Sequence, residues 1–164
     1  MTQRRIRGHV ELDFRPSLEL IGSVRRFVTD VYDQLLEDRN EASRIGVATH
    51  ELLENSVRCS ADGCVMLRIE VDTDDPAAVV LVTRNRARPD DLASLTSLVR
   101  AMDAAGDPML HYTMLMRANA KRTDGSGLGL ARIRAECEFD VAVALEGDVV
   151  TVRASGRTQG SKLS

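Results

Sequence analysis

What most constrains this chain is the order in which its apolar pattern switches between the two-residue repeat of a strand and the helical repeat of about 3.6 residues. His9-Val-Glu-Leu-Asp-Phe14 alternates apolar and polar side chains, as a strand with one buried face does. Arg15-Pro-Ser17 breaks the pattern, and Ser17 is placed to cap a helix. Leu20, Ile21, Val24, Phe27, Val28, Val31 and Leu35 then recur at helical spacing, predicting a helix over 18–36 with these residues as its core stripe. A second helix is predicted over 41–59, with Ile45, Ala48, Leu52 and Cys59 facing inward. Strands follow at 65–71 and 78–83, joined by the turn 72–76. A helix over 89–102, a Met-rich segment at 109–116, a helix over 128–138 and a hairpin of 141–145 with 149–153 complete the pass. This order predicts an α+β fold, a two-layer α/β sandwich of a mainly antiparallel sheet with helices on one face. Residues 1–154 form one domain in this reading, and the polar stretch 155–164 is expected to be a disordered tail.

Size and charge limit the function classes. The 164 residues, 43% of them hydrophobic, suffice for one core. A net charge of −3 argues against general nucleic-acid binding. No apolar run approaches the roughly 18 residues of a membrane span. The basic Arg4, Arg5 and Arg7 have no apolar signal core behind them. The odd count of three cysteines, with no CxxC pair, speaks for reduced thiols. A cytoplasmic location is the expectation. Positive charge is almost all arginine, with lysine only at Lys121 and Lys162, and the arginine fork suits phosphate and carboxylate partners.

Two motifs carry chemistry. In Ala48-Thr-His-Glu-Leu-Leu-Glu-Asn-Ser56, Glu51 and Asn55 stand one turn apart and share a helical face. The Asn55 amide oxygen suits magnesium, which takes few protein ligands besides substrate phosphates. Glu51 suits a general base that takes a proton from a water or hydroxyl attacking a phosphoryl group. The plain alternative is an amphipathic helix with two polar residues in solvent. His50-Glu51 is not a zinc motif, because position 54 is Glu, and Glu54 is expected off the Glu51 face and solvated. The second motif is Asp124-Gly-Ser-Gly-Leu-Gly-Leu130. Gly125, Gly127 and Gly129, with Ser126 and Leu128 between them, lead into a helix N-terminus, a ready anion site. Lys121 and Arg122 just upstream can add positive charge over a terminal phosphate. A flexible hinge with solvated charges fits the same residues.

Taken in order, about seventy residues apart on this element pattern, the two motifs resemble the GHKL (Bergerat-fold, histidine-kinase-like) ATPases. The anti-sigma-factor serine/threonine kinase branch is the most similar part of that family. His50-Glu-Leu-Leu-Glu-Asn55 looks like its N box, in which Glu51 is the base and Asn55 the magnesium ligand. Gly125-Ser-Gly-Leu-Gly-Leu130 looks like its G2 box, which closes on the phosphates. The resemblance implies a Bergerat fold, ATP and Mg2+ as cofactors, and a nucleotide-dependent signalling regulator that phosphorylates a serine or threonine of a protein partner. That partner is antagonist-like or sigma-factor-like, and a homodimer is left open. The chain departs from the family at the G1 box, where Thr83-Arg-Asn-Arg-Ala-Arg88 replaces Asp-x-Gly-x-Gly. Asn85 is the candidate to accept from an adenine amino group, without the charge. Weakened adenine recognition, another ligand and no nucleotide at all are the three outcomes, the last making the chain a catalytically degenerate binding module. Met109 to Met116 falls where the family has its lid, with core filling the commoner use of such a run. Asp90 and Asp91 read as first-turn helix charges.

Overall fold

The structure is a computed structural model that describes residues 6–72, 78–120 and 127–158. Its elements run β1 (Ile6–Phe14), α1 (Leu18–Leu36), α2 (Arg39–Cys59), β2 (Val65–Asp72), β3 (Ala78–Arg86), α3 (Pro89–Ala104), α4 (Pro108–Asn119), α5 (Leu128–Glu136), β4 (Asp140–Glu146) and β5 (Val149–Arg157). The five strands form one antiparallel sheet in the order β1-β2-β3-β5-β4. The α+β sandwich expected from the element order is present. No helix among the described residues is long and apolar enough to cross a membrane.

Alternation along the strands decides which sheet face is covered. Val65, Leu67, Ile69 and Val71 of β2, Val79 and Leu81 of β3, and Val150, Val152 and Ala154 of β5 are buried beneath the helices. Their neighbours Arg68, Arg84 and Arg153 are exposed on the opposite face. The helix layer centres on α2, which packs on α1, α5 and the sheet and buries Ile45, Leu52 and Leu53 completely. Asp38 caps α2 by accepting from the amides of Asn40 and Glu41 at 2.9 and 3.2 Å, so the helix begins two residues before the expected position. The preceding Glu37 ends α1 in the left-handed region, φ 54°, and donates its amide to the Asp33 carbonyl. Ser17 caps α1 as expected, accepting from Leu20 N at 3.2 Å.

Three expectations need correction. The stripe of α1 is narrower than its periodicity suggested: Ile21, Val24 and Val28 are buried, whereas Leu20 and Phe27 stand exposed. The Met-rich run is not core filling, since Met109, Met114 and Met116 on α4 are exposed and Tyr112 is the buried residue of that helix. At the other end, β5 continues through Ser155, Gly156 and Arg157, residues assigned by pattern to the tail. Ser155 pairs with both Val80 and Asp140, so the backbone there is ladder rather than tail. Residues 159–164 lie outside the described part.

Candidate functional site

One end of α2 meets the first turns of α3 and α5 and the side of α4, and a cavity of about 580 Å³ opens between them. That volume lies in the range of small-molecule pockets. Helix α2 supplies Glu51, Glu54, Asn55, Arg58 and Cys59 to the wall. Asp91, Ser94, Leu95 and Leu98 of α3 face it, with Tyr112 of α4. Gly127 and the first residues of α5 (Leu128, Gly129, Leu130), together with Arg132, close the near side.

The local sequence explains why these elements converge. The C-terminus of α2 is stitched to β3 by the Ser60–Ala87 bridge and by the Ala61 amide donating to the Arg86 carbonyl at 2.8 Å. Arg88 then donates to the Arg58 carbonyl at 2.8 Å and to Asp91 Oδ2 at 2.6 Å, tying the end of α2 to the start of α3. Asp91 is a first-turn helix charge as expected, and it also lines the cavity. Burial raises the Cys59 thiol above its ordinary pKa, and the Asp91 carboxylate adds to the effect. Gly127 adopts φ 91°, which only glycine takes without strain, and a Cβ there would crowd Leu98 at 3.2 Å. Helix α5 begins directly after it, with no side-chain cap among the described residues, and its first residues line the cavity.

Glu51 and Asn55 line the same cavity as Gly127, Leu128 and Gly129, bringing the two sequence motifs together. Lys121, Arg122, Gly125 and Ser126 lie outside the described residues. Asn85 is buried on the helix-facing side of β3 but is not part of the cavity wall; its Nδ2 donates to the Arg86 carbonyl at 3.1 Å. Two residues earlier on that face, the Thr83 hydroxyl is buried with no hydrogen bond among the described residues, as is Ser56 Oγ on α2. Glu54, expected in solvent, instead shares the cavity wall and pairs with Arg58 at 3.3 Å. The i, i+3 spacing to Glu51 is the signal that could have placed it there.

The residue that pattern reading missed is Arg132. Its Nη1 donates to Glu51 Oε1 at 2.8 Å and its Nε to Glu136 Oε2 at 2.6 Å. Hydrogen bonding to Glu136 is the largest influence raising its pKa; burial opposes this, and the bond to Glu51 adds to it. Gly129 presses on the same carboxylate, for a Cβ there would sit 2.7 Å from Glu51 Oε2. Glu51 is therefore held between a guanidinium and a glycine backbone. Among the described residues no cluster of three His, Cys, Asp or Glu side chains can hold a metal by itself. Asn55 contributes a single amide oxygen, which fits magnesium whose shell is otherwise phosphate and water.

No protein-family model matches the chain, and no curated protein matches it in sequence. Among solved structures, a chain of the SiaB–SiaC complex from Pseudomonas aeruginosa superposes with a TM-score of 0.64. The match covers 93% of this chain and 92% of that one at 16% identity, so the likeness is one of fold.

Proposed function

We propose that the chain is a nucleotide-dependent bacterial signalling regulator. In this reading it binds ATP with magnesium and phosphorylates a serine or threonine of a small protein partner in a partner-switching system of the anti-sigma-factor and antagonist kind. The carrying observation is that a carboxylate, a carboxamide and a glycine-led helix N-terminus, read separately from sequence, share one cavity. Glu51 takes the proton of the acceptor hydroxyl as its oxygen bonds the terminal phosphorus, and the bond to the departing nucleoside diphosphate breaks. Asn55 is the residue to hold magnesium, whose chemistry is to offset charge on the phosphate oxygens. A fold neighbour that comes from a complex of two proteins supports a protein partner here.

A second reading, a binding module that sequesters its partner without catalysis, is favoured by two placements. Asn85 stays off the cavity wall, and Glu51 is engaged by Arg132. Calorimetric titration with ATP and magnesium separates the two. Saturable heat that vanishes in Asn55→Ala supports the first reading, and a folded protein that gives no heat with any purine nucleotide leaves only the second. With labelled ATP and candidate partners, Glu51→Ala should then abolish transfer, a loss of at least about a hundredfold for a general base.

A further inference from the structure

Two arginines are tied to glutamates of α2, and they are used differently. Arg44 Nη1 donates to both Glu41 carboxylate oxygens at 2.8 and 2.9 Å. Its Nε donates to the Cys137 carbonyl at 2.9 Å, its Nη2 donates to the same oxygen, and its guanidinium lies 5.0 Å over the Phe139 ring. Each nitrogen of that fork is thus engaged, Nη1 within α2 and Nε and Nη2 in joining α2 to the end of α5, and Arg44 is not part of the cavity wall. Arg132 spends only Nη1 and Nε, both on carboxylates, and its Nη2 has no hydrogen bond among the described residues. Its side chain is 36% exposed and faces the cavity, whereas the Glu51 side chain is 11% exposed. The cavity thus presents a partly exposed cation beside a more buried partner on the same wall.

Carboxylate and phosphate are interchangeable partners for a guanidinium fork, and phosphate brings more charge and more acceptors. Arg132 is partly exposed and shared between Glu51 and Glu136, and such pairs are worth little in net free energy, so a polyanion can displace the Glu51 partner. We propose that Arg132 receives the terminal phosphate in this cavity and that Glu51 is its resting occupant. An entering polyphosphate takes the guanidinium, and only then is the Glu51 carboxylate released toward an acceptor hydroxyl. The base is silent until the phosphoryl donor is seated. This inference rests on the reading that the cavity takes a nucleoside triphosphate; what it adds is the phosphate-binding residue and the order of events.

The test exploits the fact that the two partners of one ion pair should have opposite effects. Magnesium-ATP and, separately, sodium tripolyphosphate are titrated calorimetrically into wild type, Glu51→Gln, Arg132→Gln, Arg132→Lys and Glu54→Gln, each checked for folding by circular dichroism. Glu51→Gln should bind both ligands about five- to tenfold tighter, because the competitor is removed. Arg132→Gln should bind at least about tenfold more weakly, with Arg132→Lys between it and wild type. Glu54→Gln removes the same charge from the same wall and should change affinity less than about twofold. If the two variants shift affinity in the same direction, or not at all, the pair is structural and the exchange is overturned. Equal tightening in Glu54→Gln would reduce the effect to bulk charge and overturn it too. Should Arg132→Gln not fold, Arg132→Lys and Glu51→Gln carry the same comparison. If no form binds magnesium-ATP, the nucleotide reading fails; tripolyphosphate then decides the exchange alone, and its failure to bind wild type and Glu51→Gln refutes it.

Discussion

Gly129 shows how much one missing side chain can organise. It supplies room for the Glu51 carboxylate, whose Oε2 would stand only 2.7 Å from a Cβ at that position. Gly129→Ala should therefore push Glu51 off Arg132, costing roughly 1–3 kcal/mol by overpacking. Denaturant unfolding would measure the loss, alongside a change in magnesium-ATP affinity. Gly106→Ala is the control: nothing lies within 4 Å of its Cβ position, and stability should stay within about 0.5 kcal/mol. That Gly127 and Gly129 open a helix was legible in sequence, because glycines directly ahead of an apolar helical repeat mark its start. The second service of Gly129, making space for a carboxylate on another helix, was not, since that contact spans the chain. Arg132 was invisible for the same reason, its partner lying 81 positions away.

At the scale of elements, α2 carries both the core and the site, so its start matters to both. Asp38→Ala removes the side-chain acceptor used by the Asn40 and Glu41 amides in the first turn and should cost about 1 kcal/mol. Thermal unfolding would register it, and Asp38→Ser should recover most of the loss. Every helix and strand foreseen from periodicity is present, because each buries a face with its own repeat. Boundaries and exposure were less legible. β3 runs three residues beyond the predicted Thr83 because Asn85 and Arg86 pair with Val150 and Val149. Leu20 and Phe27 follow the helical repeat of α1 yet lie outside the arc covered by α2. Periodicity names a face; only the neighbouring element sets how wide that face is.

For the whole molecule, the buried Cys137 makes stability depend on alkaline pH. Burial holds the thiol's pKa at about 11 in the fold, against an ordinary value of 9.0 when the chain is open. The unfolded chain thus releases this proton first as pH rises. The sign is a loss: stability is unaffected below pH 9 and declines between pH 9 and about 11, by of order 2–3 kcal/mol. Urea unfolding at pH 8 and pH 10.5 should show the difference, and Cys137→Ala should reduce it, leaving the part due to Cys59 and Tyr32, whose pKa values burial also raises. The fold class could be read from the order of elements, since strands and helices of this kind have few ways to cover one another. Strand order could not, because the pairing of β3 with β5 joins residues that nothing local relates.

That pairing has a consequence for the chain while it is being made. β3 holds the middle of the finished sheet, yet its partner on one side is the strand synthesised after all the others described. Until three helices and β4 have emerged, the Val79-Val-Leu-Val82 stretch of β3 presents an open row of amides and carbonyls beside the half-sheet already formed. An apolar, unpaired strand edge is what nascent chains aggregate through. The window of greatest vulnerability for this fold thus lies between the emergence of β3 and that of β5, after most of the core residues exist and before the β4–β5 hairpin closes over them.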